Sequence, residues 1–170
     1  REFAVAAVGL ILFVGLATTV CTRKPPHADE TIDAEIAINL VQLGKPVAYA
    51  FSYSTPGELA PTAWPVYEYA LAAWLWTWGV SRPAVVAFYI SIVAIVSLLI
   101  LATVRRSGLM PSPAARLTMA MAIPWLPAVV SVYSKSRYDA MGMLGLTIAA
   151  IALTIHRPWL RFGLLAEIGR

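Results

Sequence analysis

Long apolar stretches are the feature of this sequence that most restricts its fold. Four of them, over residues 3–21, 83–104, 115–133 and 140–155, approach the roughly 20 residues that a helix needs to cross the core of a bilayer. The fourth is short and depends on flanking polar residues near the interface. Because 59% of the 170 residues are hydrophobic and only 13% are charged, a soluble domain could not bury this much apolar surface. The sequence therefore predicts an all-α, polytopic membrane protein with about four transmembrane helices.

The two ends of the sequence predict that it belongs to a longer protein. It starts with Arg1 rather than methionine, and another apolar run begins at Phe162. The first apolar stretch is too long for the core of a typical signal peptide and lacks a small-x-small cleavage site, so it is interpreted as a span. We expect residues 1–170 to be the N-terminal part of one integral membrane domain.

Residues 63–80 are apolar but rich in tryptophan and tyrosine, and they contain Glu68. Such aromatic residues favour the headgroup layer, and a glutamate within a span is costly. The pattern favours an interfacial or re-entrant helix near residues 63–79 over a crossing one. Residues 22–82 then form one long outer loop. This loop holds another helix near residues 31–43, which Gly44-Lys45-Pro46 ends.

The charge distribution supports this arrangement. If residues 63–80 do not cross, the basic residues after the second and fourth stretches fall on the side of the N-terminus, in agreement with the positive-inside rule. The acids then fall on the opposite, outer side. The basic set is Arg105, Arg106, Arg116, His156, Arg157 and Arg161, and the acidic set is Asp29, Glu30, Asp33, Glu35, Glu58, Glu68 and Asp139.

An acidic segment follows the first apolar stretch, where four of the nine acids lie within residues 29–35. The predicted topology brings this segment to the same face as Asp139, which follows the third stretch. A carboxylate there could take a proton from an acceptor hydroxyl. Lys135 and Arg137 flank Asp139 and could grip a phosphate, the arginine through two parallel hydrogen bonds. The convergence predicts group-transfer chemistry above the bilayer.

Purely structural explanations of these acids stay open. Asp29 could be the N-cap of the helix that follows it, and Asp139 could cap the fourth span or pair with Arg137. Asp33 and Glu35 fit the solvated face of a surface helix, and Glu68 fits a water-facing position.

Other residues carry structural expectations only. Ile32, Ile36 and Leu40 recur every four residues and predict an amphipathic face that lies along the membrane. Cys21 is expected to be a packing residue. Pro124 and Pro127 are expected to kink the third span.

Three short segments resemble membrane glycosyltransferases that use polyprenyl-phosphate sugars, a superfamily of C-type fold that includes protein O-mannosyltransferases and aminoarabinose transferases. Asp29-Glu30, followed by Glu35-Ile36-Ala37-x-Asn39-Leu40, resembles their first outer loop. Pro61-Thr62-Ala63-Trp64-Pro65-Val66-Tyr67 is similar to a "P-T-A-x-x-P-x-Y-P" segment that opens a juxtamembrane helix. Ser136-Arg137-Tyr138-Asp139-Ala140-Met141 is similar to an "A-R-x-D-x-L" segment. The chain departs from the second motif because Glu68, and not proline, follows Tyr67.

The resemblance implies an inverting transferase that moves a sugar from a polyprenyl-phosphate donor to an acceptor at the outer face of the cytoplasmic membrane. Its catalytic residues would be Asp29, as the base, with Glu30 and Asp139. Its substrate-binding residues would be Lys135, Arg137, Tyr67 and Glu68. Asp29 and Asp139 could hold a divalent metal. The expected partners are membrane lipid and the lipid-linked donor, and the sequence does not identify the acceptor.

Two other functions stay open. The chain could be a transporter or channel fragment whose acids form an ion path, or a non-catalytic membrane subunit that docks a partner on its long loop. Transport acids usually lie inside spans near the midplane, and the four apolar stretches contain none. A nucleic-acid partner has no support, because the sequence has no basic cluster and no binding motif.

Overall fold

The computed structural model describes residues 1–26, 28–47, 65–135 and 139–156. All regular structure within these ranges is helical, in agreement with the predicted all-α class. The helices, in chain order, are α1 (Glu2–Thr22), α2 (Ala28–Leu43), α3 (Pro65–Trp78), α4 (Arg82–Ser107), α5 (Pro113–Ala122), a 3₁₀ turn (Ile123–Trp125), α6 (Pro127–Ser134) and α7 (Asp139–His156).

The two longest helices, α1 and α4, pack against each other in antiparallel directions. At one end, the guanidinium carbon of Arg105 lies 5.5 Å from the centre of the Phe3 ring. At the other end, Arg82 donates hydrogen bonds to the carbonyl oxygens of Thr22 (2.8 Å) and Lys24 (2.6 Å). We call these the Arg105 end and the Arg82 end of the bundle. With 21 and 26 residues, the helices are about 32 and 39 Å long, enough to cross a bilayer core of about 30 Å.

The pairing of α1 with α4 also fixes where the long loop begins and ends. Thr22 closes α1 and Arg82 opens α4, and these residues are in contact. If both helices cross the membrane, residues 23–81 therefore leave and return at the same surface. This agrees with the prediction that the aromatic segment does not cross.

α1 buries one narrow line of side chains. They recur every three or four residues along the helix and are Ala6, Leu10, Phe13, Ala17 and Cys21. The opposite face exposes large aliphatic side chains, as expected for a helix with one side open to lipid. Burial of Cys21 confirms that it is a packing residue.

α4 is the central helix of the bundle and contacts α1, α3, α5, α6 and α7. It is apolar on nearly all sides, which suits a helix that is covered all round. Ser97, buried on α4, donates a hydrogen bond to the carbonyl of Val93 (2.9 Å). Ser81 caps the helix by accepting from the N–H of Ala84, and Gly108 (φ 70°) ends it in the left-handed conformation that glycine adopts without strain.

The third apolar stretch is not one straight helix. α5 with the 3₁₀ turn and α6 meet the length and composition requirements for a span only as a pair, and they are bent by 49°. Leu126 is extended (φ −60°, ψ 132°), as expected for a residue that precedes a proline, here Pro127. The predicted kink of the third stretch is confirmed, because the backbone breaks at Leu126.

The described chain thus has two helices, α1 and α4, that are long and apolar enough to cross a membrane, or three if the bent pair is one span. These helices indicate a membrane protein. α7 coincides with the predicted fourth stretch, but its described apolar part, Asp139–Ile151, is shorter than a span. The count of four spans stays a prediction.

α2 and α3 pack against each other, and α3 also packs against α4. α2 begins three residues before the predicted start and ends at Leu43, where Gly44 (φ 68°) confirms the predicted stop. Asn39 donates from Nδ2 to the carbonyl of Val47 (2.8 Å), which holds the chain after this stop against α2. α3 lies within the predicted segment 63–79, of which residues 63 and 64 fall outside the described residues.

The apolar face predicted for α2 is partly covered by protein. Ile36 is buried and Leu40 packs against the main hydrophobic core. The side chain of Ile32 lies outside the described part of the chain. The expectation that this whole face lies along the membrane was therefore wrong for Ile36 and Leu40, since packing with the rest of the bundle covers them.

Candidate functional site

The main hydrophobic core lies toward the Arg82 end and joins six helices. α2 contributes Ala34 and Ala37, α3 contributes Tyr67 and Leu71, and α7 contributes Ala140. The second, smaller core, formed by Ala6, Leu101 and Ala120, lies toward the Arg105 end. Consequently the start of α7 and the two helices of the long loop belong to the same end of the bundle, where the predicted site residues also occur.

The predicted base and its neighbour, Asp29 and Glu30, lie in the first turn of α2. Their side chains are outside the described part of the structure, as is that of Asp33. Because α2 begins at Ala28, Asp29 is inside the helix, so the alternative that it is the N-cap was wrong. Carboxylates in a first turn interact favourably with the positive end of the helix dipole.

Glu35, the fourth acid of the segment, is half-buried on α2. Its partial exposure is compatible with the predicted solvated face, while Ala34 and Ala37 on either side of it belong to the main core.

Asp139 is the first residue of α7 and is half-buried, next to the fully buried Ala140. Because Asp139 is inside the helix, the alternative that it is the N-cap of α7 was wrong, although a carboxylate in the first turn still interacts favourably with the helix dipole. Its predicted partner Arg137 lies outside the described residues. Lys135 is exposed at the end of α6 and donates its backbone N–H to the carbonyl of Tyr133. The exposed side chain of Lys135 is thus open to an anionic ligand.

Tyr67 is a core residue and is only 4% exposed. Its hydroxyl shares a hydrogen bond with the hydroxyl of Tyr89 on α4. The centre of its ring lies 6.3 Å from that of Phe88 and 5.9 Å from that of Tyr89. These contacts attach α3 to the first two turns of α4, so the polar atom of Tyr67 faces protein.

Glu68 is buried, with 7% of its surface exposed, so the expectation that it faces water was wrong. Among the described residues it is the only charged side chain that the fold buries to this degree. The reason is that Glu68 lies on the one face of α3 that packs against the bundle. Tyr67, Leu71, Ala72 and Leu75 are buried on the same face, whereas Val66, Tyr69 and Trp76 on the other side are exposed. A buried carboxylate is costly without compensating interactions.

Sequence reasoning did not single out Tyr89, Trp74 or Arg82. Trp74 donates its indole N–H to the carbonyl of Ala84 (2.9 Å), and Arg82 joins α1 to α4. A signal existed for Tyr89, because its hydroxyl is one of the few polar groups within the second apolar stretch. Arg82 and Trp74 are at positions where basic and aromatic residues are common at membrane surfaces, so their specific contacts had no sequence signature.

Within the described ranges, no three His, Cys, Asp or Glu side chains group together in a way that could hold a metal ion. The site suggested by the resemblance uses Asp29, whose side chain is outside those ranges. Among the described residues at the start of α7, Asp139 itself is the one carboxylate. A metal held by Asp29 and Asp139 stays a prediction.

The arrangement at the Arg82 end therefore combines an acidic helix start, a second carboxylate at the start of α7, an exposed lysine and a buried Glu68 beside a tyrosine pair. Comparisons of the chain with protein-family models, with curated proteins and with solved structures found no match. The resemblance to membrane glycosyltransferases rests on the sequence motifs alone.

Proposed function

We propose that the protein is a membrane glycosyltransferase, or the N-terminal part of one, that transfers a sugar from a polyprenyl-phosphate donor to an acceptor at the outer face of the membrane. The observation that carries the proposal is the common core of α2, α3 and the start of α7. This common core supports the proposal because it is compatible with the acidic first turn of α2 and Asp139 lying toward one end of the bundle. The order of the three sequence motifs adds independent support.

In the proposed reaction, Asp29 accepts the proton of an acceptor hydroxyl. The hydroxyl oxygen then attacks the anomeric carbon, and the bond between this carbon and the phosphate oxygen of the donor breaks. Direct displacement inverts the configuration and releases polyprenyl phosphate. Lys135 and Arg137 stabilise the charge of the leaving phosphate, and Glu30 and Asp139 shape the site. A separate acid is less necessary than in glycoside hydrolysis, because a phosphate is already a good leaving group.

The test uses membranes that contain the full-length protein and polyprenyl-phosphate mannose, glucose or aminoarabinose with a tritiated sugar. Asp29→Asn removes the base, and we expect the transfer rate to fall by about 10²-fold or more. Asp33→Asn is the matched control in the same helix and is expected to keep the wild-type rate. Wild-type transfer by Asp29→Asn would refute the assignment of the base. Failure of the wild-type protein to transfer or to bind any of these donors would count against the enzyme as a whole.

A proton or ion path is the second candidate function, and the burial of Glu68 is the observation that favours it. Ionisable groups inside a membrane bundle commonly mark such paths. The test is flux into proteoliposomes loaded with a pH-sensitive dye. A path through Glu68 requires proton flux in the wild-type protein and its loss in Glu68→Gln, whereas the transferase requires neither.

A further inference from the structure

The Arg105 end of the bundle carries a compact group of arginines that the proposed transferase does not use. Arg1 precedes α1, Arg105 and Arg106 lie in the last turn of α4, and Arg116 lies in α5. The contact of Arg105 with the Phe3 ring and the ion pair of Arg116 with Glu2 bring the three helices together here. Four arginines against one glutamate give the described residues of this end a net charge of +3.

Glu2 does not neutralise the exposed part of this group. Its two carboxylate oxygens accept hydrogen bonds from Arg116, at 2.7 Å from Nη2 and 3.1 Å from Nε. Arg116 also donates to the carbonyls of Met110 and Pro111 in the turn between α4 and α5. The Glu2–Arg116 pair therefore has a structural role, while Arg1, Arg105 and Arg106 are exposed and available to a ligand.

The geometry also favours binding of an anion at a bilayer surface. The N-termini of α1 and α5 lie at this end and each adds a partial positive charge, whereas the C-terminus of α4 adds a partial negative charge that Arg105 and Arg106 in its last turn offset. α1 and α4 are candidate spans, so their ends lie in the headgroup layer when they cross. Directly beyond Arg1, α1 exposes Val5 (54%) and Val8 (59%) on its outer face. An acyl chain would cover these valines, whereas a free phosphate ion would leave them exposed.

We propose that the Arg105 end binds the headgroup of an anionic phospholipid, with Arg105 and Arg106 as the direct ligands of its phosphate and Arg1 as an additional positive charge. The Phe3 ring holds the guanidinium of Arg105 near α1 by a cation–π contact. A guanidinium can donate two parallel hydrogen bonds to a phosphate, so each of these arginines is suited to bind the headgroup phosphate. Anionic lipid surfaces attract such juxtamembrane basic residues.

The experiment measures thermal stabilisation of the delipidated protein in detergent by phosphatidylglycerol and by phosphatidylcholine. A ligand that binds the folded state raises the unfolding temperature. We expect phosphatidylglycerol to stabilise the wild-type protein more than phosphatidylcholine does, and Arg105→Gln/Arg106→Gln to lose more than half of this difference. The matched control, Arg23→Gln/Lys24→Gln, removes two exposed charges at the Arg82 end and is expected to retain the difference.

Several results would overturn the proposal. They are equal stabilisation of the wild-type protein by both lipids, an undiminished preference in the Arg105/Arg106 variant, or an equal loss in the control. An equal shift with inorganic phosphate or with an acidic peptide would assign the arginines to a free anion or to a protein partner instead. If the double variant does not fold, Arg106→Gln alone leaves the Phe3–Arg105 contact intact and must still reduce the preference.

Discussion

Tyr67 of α3 and Tyr89 of α4 share a hydrogen bond between their hydroxyl groups across 22 residues of sequence. Both side chains are buried, at 4% and 0% exposed. Trp74 reinforces the same junction through its hydrogen bond to the carbonyl of Ala84. Together these contacts attach α3 to the start of α4, at the end of the bundle where the proposed transfer site lies.

The tyrosine pair predicts non-additive effects on stability. Tyr67→Phe and Tyr89→Phe each remove the hydrogen bond between the two buried hydroxyl groups. Each should lower the free energy of unfolding by about 1 kcal/mol. The double variant should cost less than the sum, with a coupling energy of about 0.5–1.5 kcal/mol. Unfolding by SDS in mixed micelles measures the stability of the wild-type protein, the two single variants and the double variant. Tyr69→Phe, at an exposed position of the same helix, should be neutral, and strictly additive losses would disprove the coupling.

The burial of Glu68 predicts that a lysine is far more destabilising at this position than at the exposed neighbour Tyr69. Glu68→Lys places a longer side chain of opposite charge in the core. The free energy of unfolding should therefore fall by about 3 kcal/mol or more, and the folded fraction should fall with it. Tyr69→Lys introduces the same residue one position later on the exposed side and should fold normally. Fluorescence-detected size-exclusion chromatography gives the folded fraction of each variant. Equal yields for the two lysine variants would show that Glu68 is not enclosed.

α1 approaches Met121 of α5 closely at Gly9. A Cβ atom there would lie 2.8 Å from Cε of Met121 and 3.1 Å from its sulfur. Alanine needs only a shift of the flexible methionine end, but Gly9→Leu needs more space and should cost about 1–3 kcal/mol. Gly15 has nothing within 4 Å of such a Cβ atom, so Gly15→Leu is the matched control. Thermal unfolding in detergent compares them, and equal unfolding temperatures would contradict the close approach.

Cysteine labelling tests the course of the chain through the membrane. In a Cys21→Ala background, cysteines at Val80 and Ser107 should react with an impermeant maleimide from opposite sides, because α4 separates these positions. Ser54 and Ser136 lie outside the described residues. Cysteines introduced at these two positions are expected to react from the same side as a cysteine at Val80. Reaction of a cysteine at Ser54 from the same side as a cysteine at Ser107 would show that α3 crosses the membrane.

Much of the fold followed from local sequence patterns. The apolar stretches predicted α1, α4 and α7, the Gly44-Lys45-Pro46 run predicted the end of α2, and Pro124 and Pro127 predicted the kink between α5 and α6. These features depend on residues close together in sequence, whose backbone preferences act within a few bonds. Sequence patterns therefore suffice to predict them.

The candidate site was less predictable. The acids of α2 and Asp139 could be named from their order along the chain, but the exposure of Glu68 was misjudged. Helix periodicity tells which residues share a face, whereas the helix that covers this face comes from a distant part of the chain. For Glu68, covering by the rest of the bundle outweighs the polar character of the side chain.

The amino-acid sequence alone determined that this protein is helical, rich in membrane-length apolar segments, and charged mainly outside them. Only the tertiary structure decided that Arg82 joins the end of α1 to the start of α4, that Tyr67 meets Tyr89, and that the arginines of the Arg105 end form one group. The physical reason is that hydrophobicity and backbone preference act locally. Contacts between helices depend instead on which side chains fit together over long separations, which local patterns do not encode.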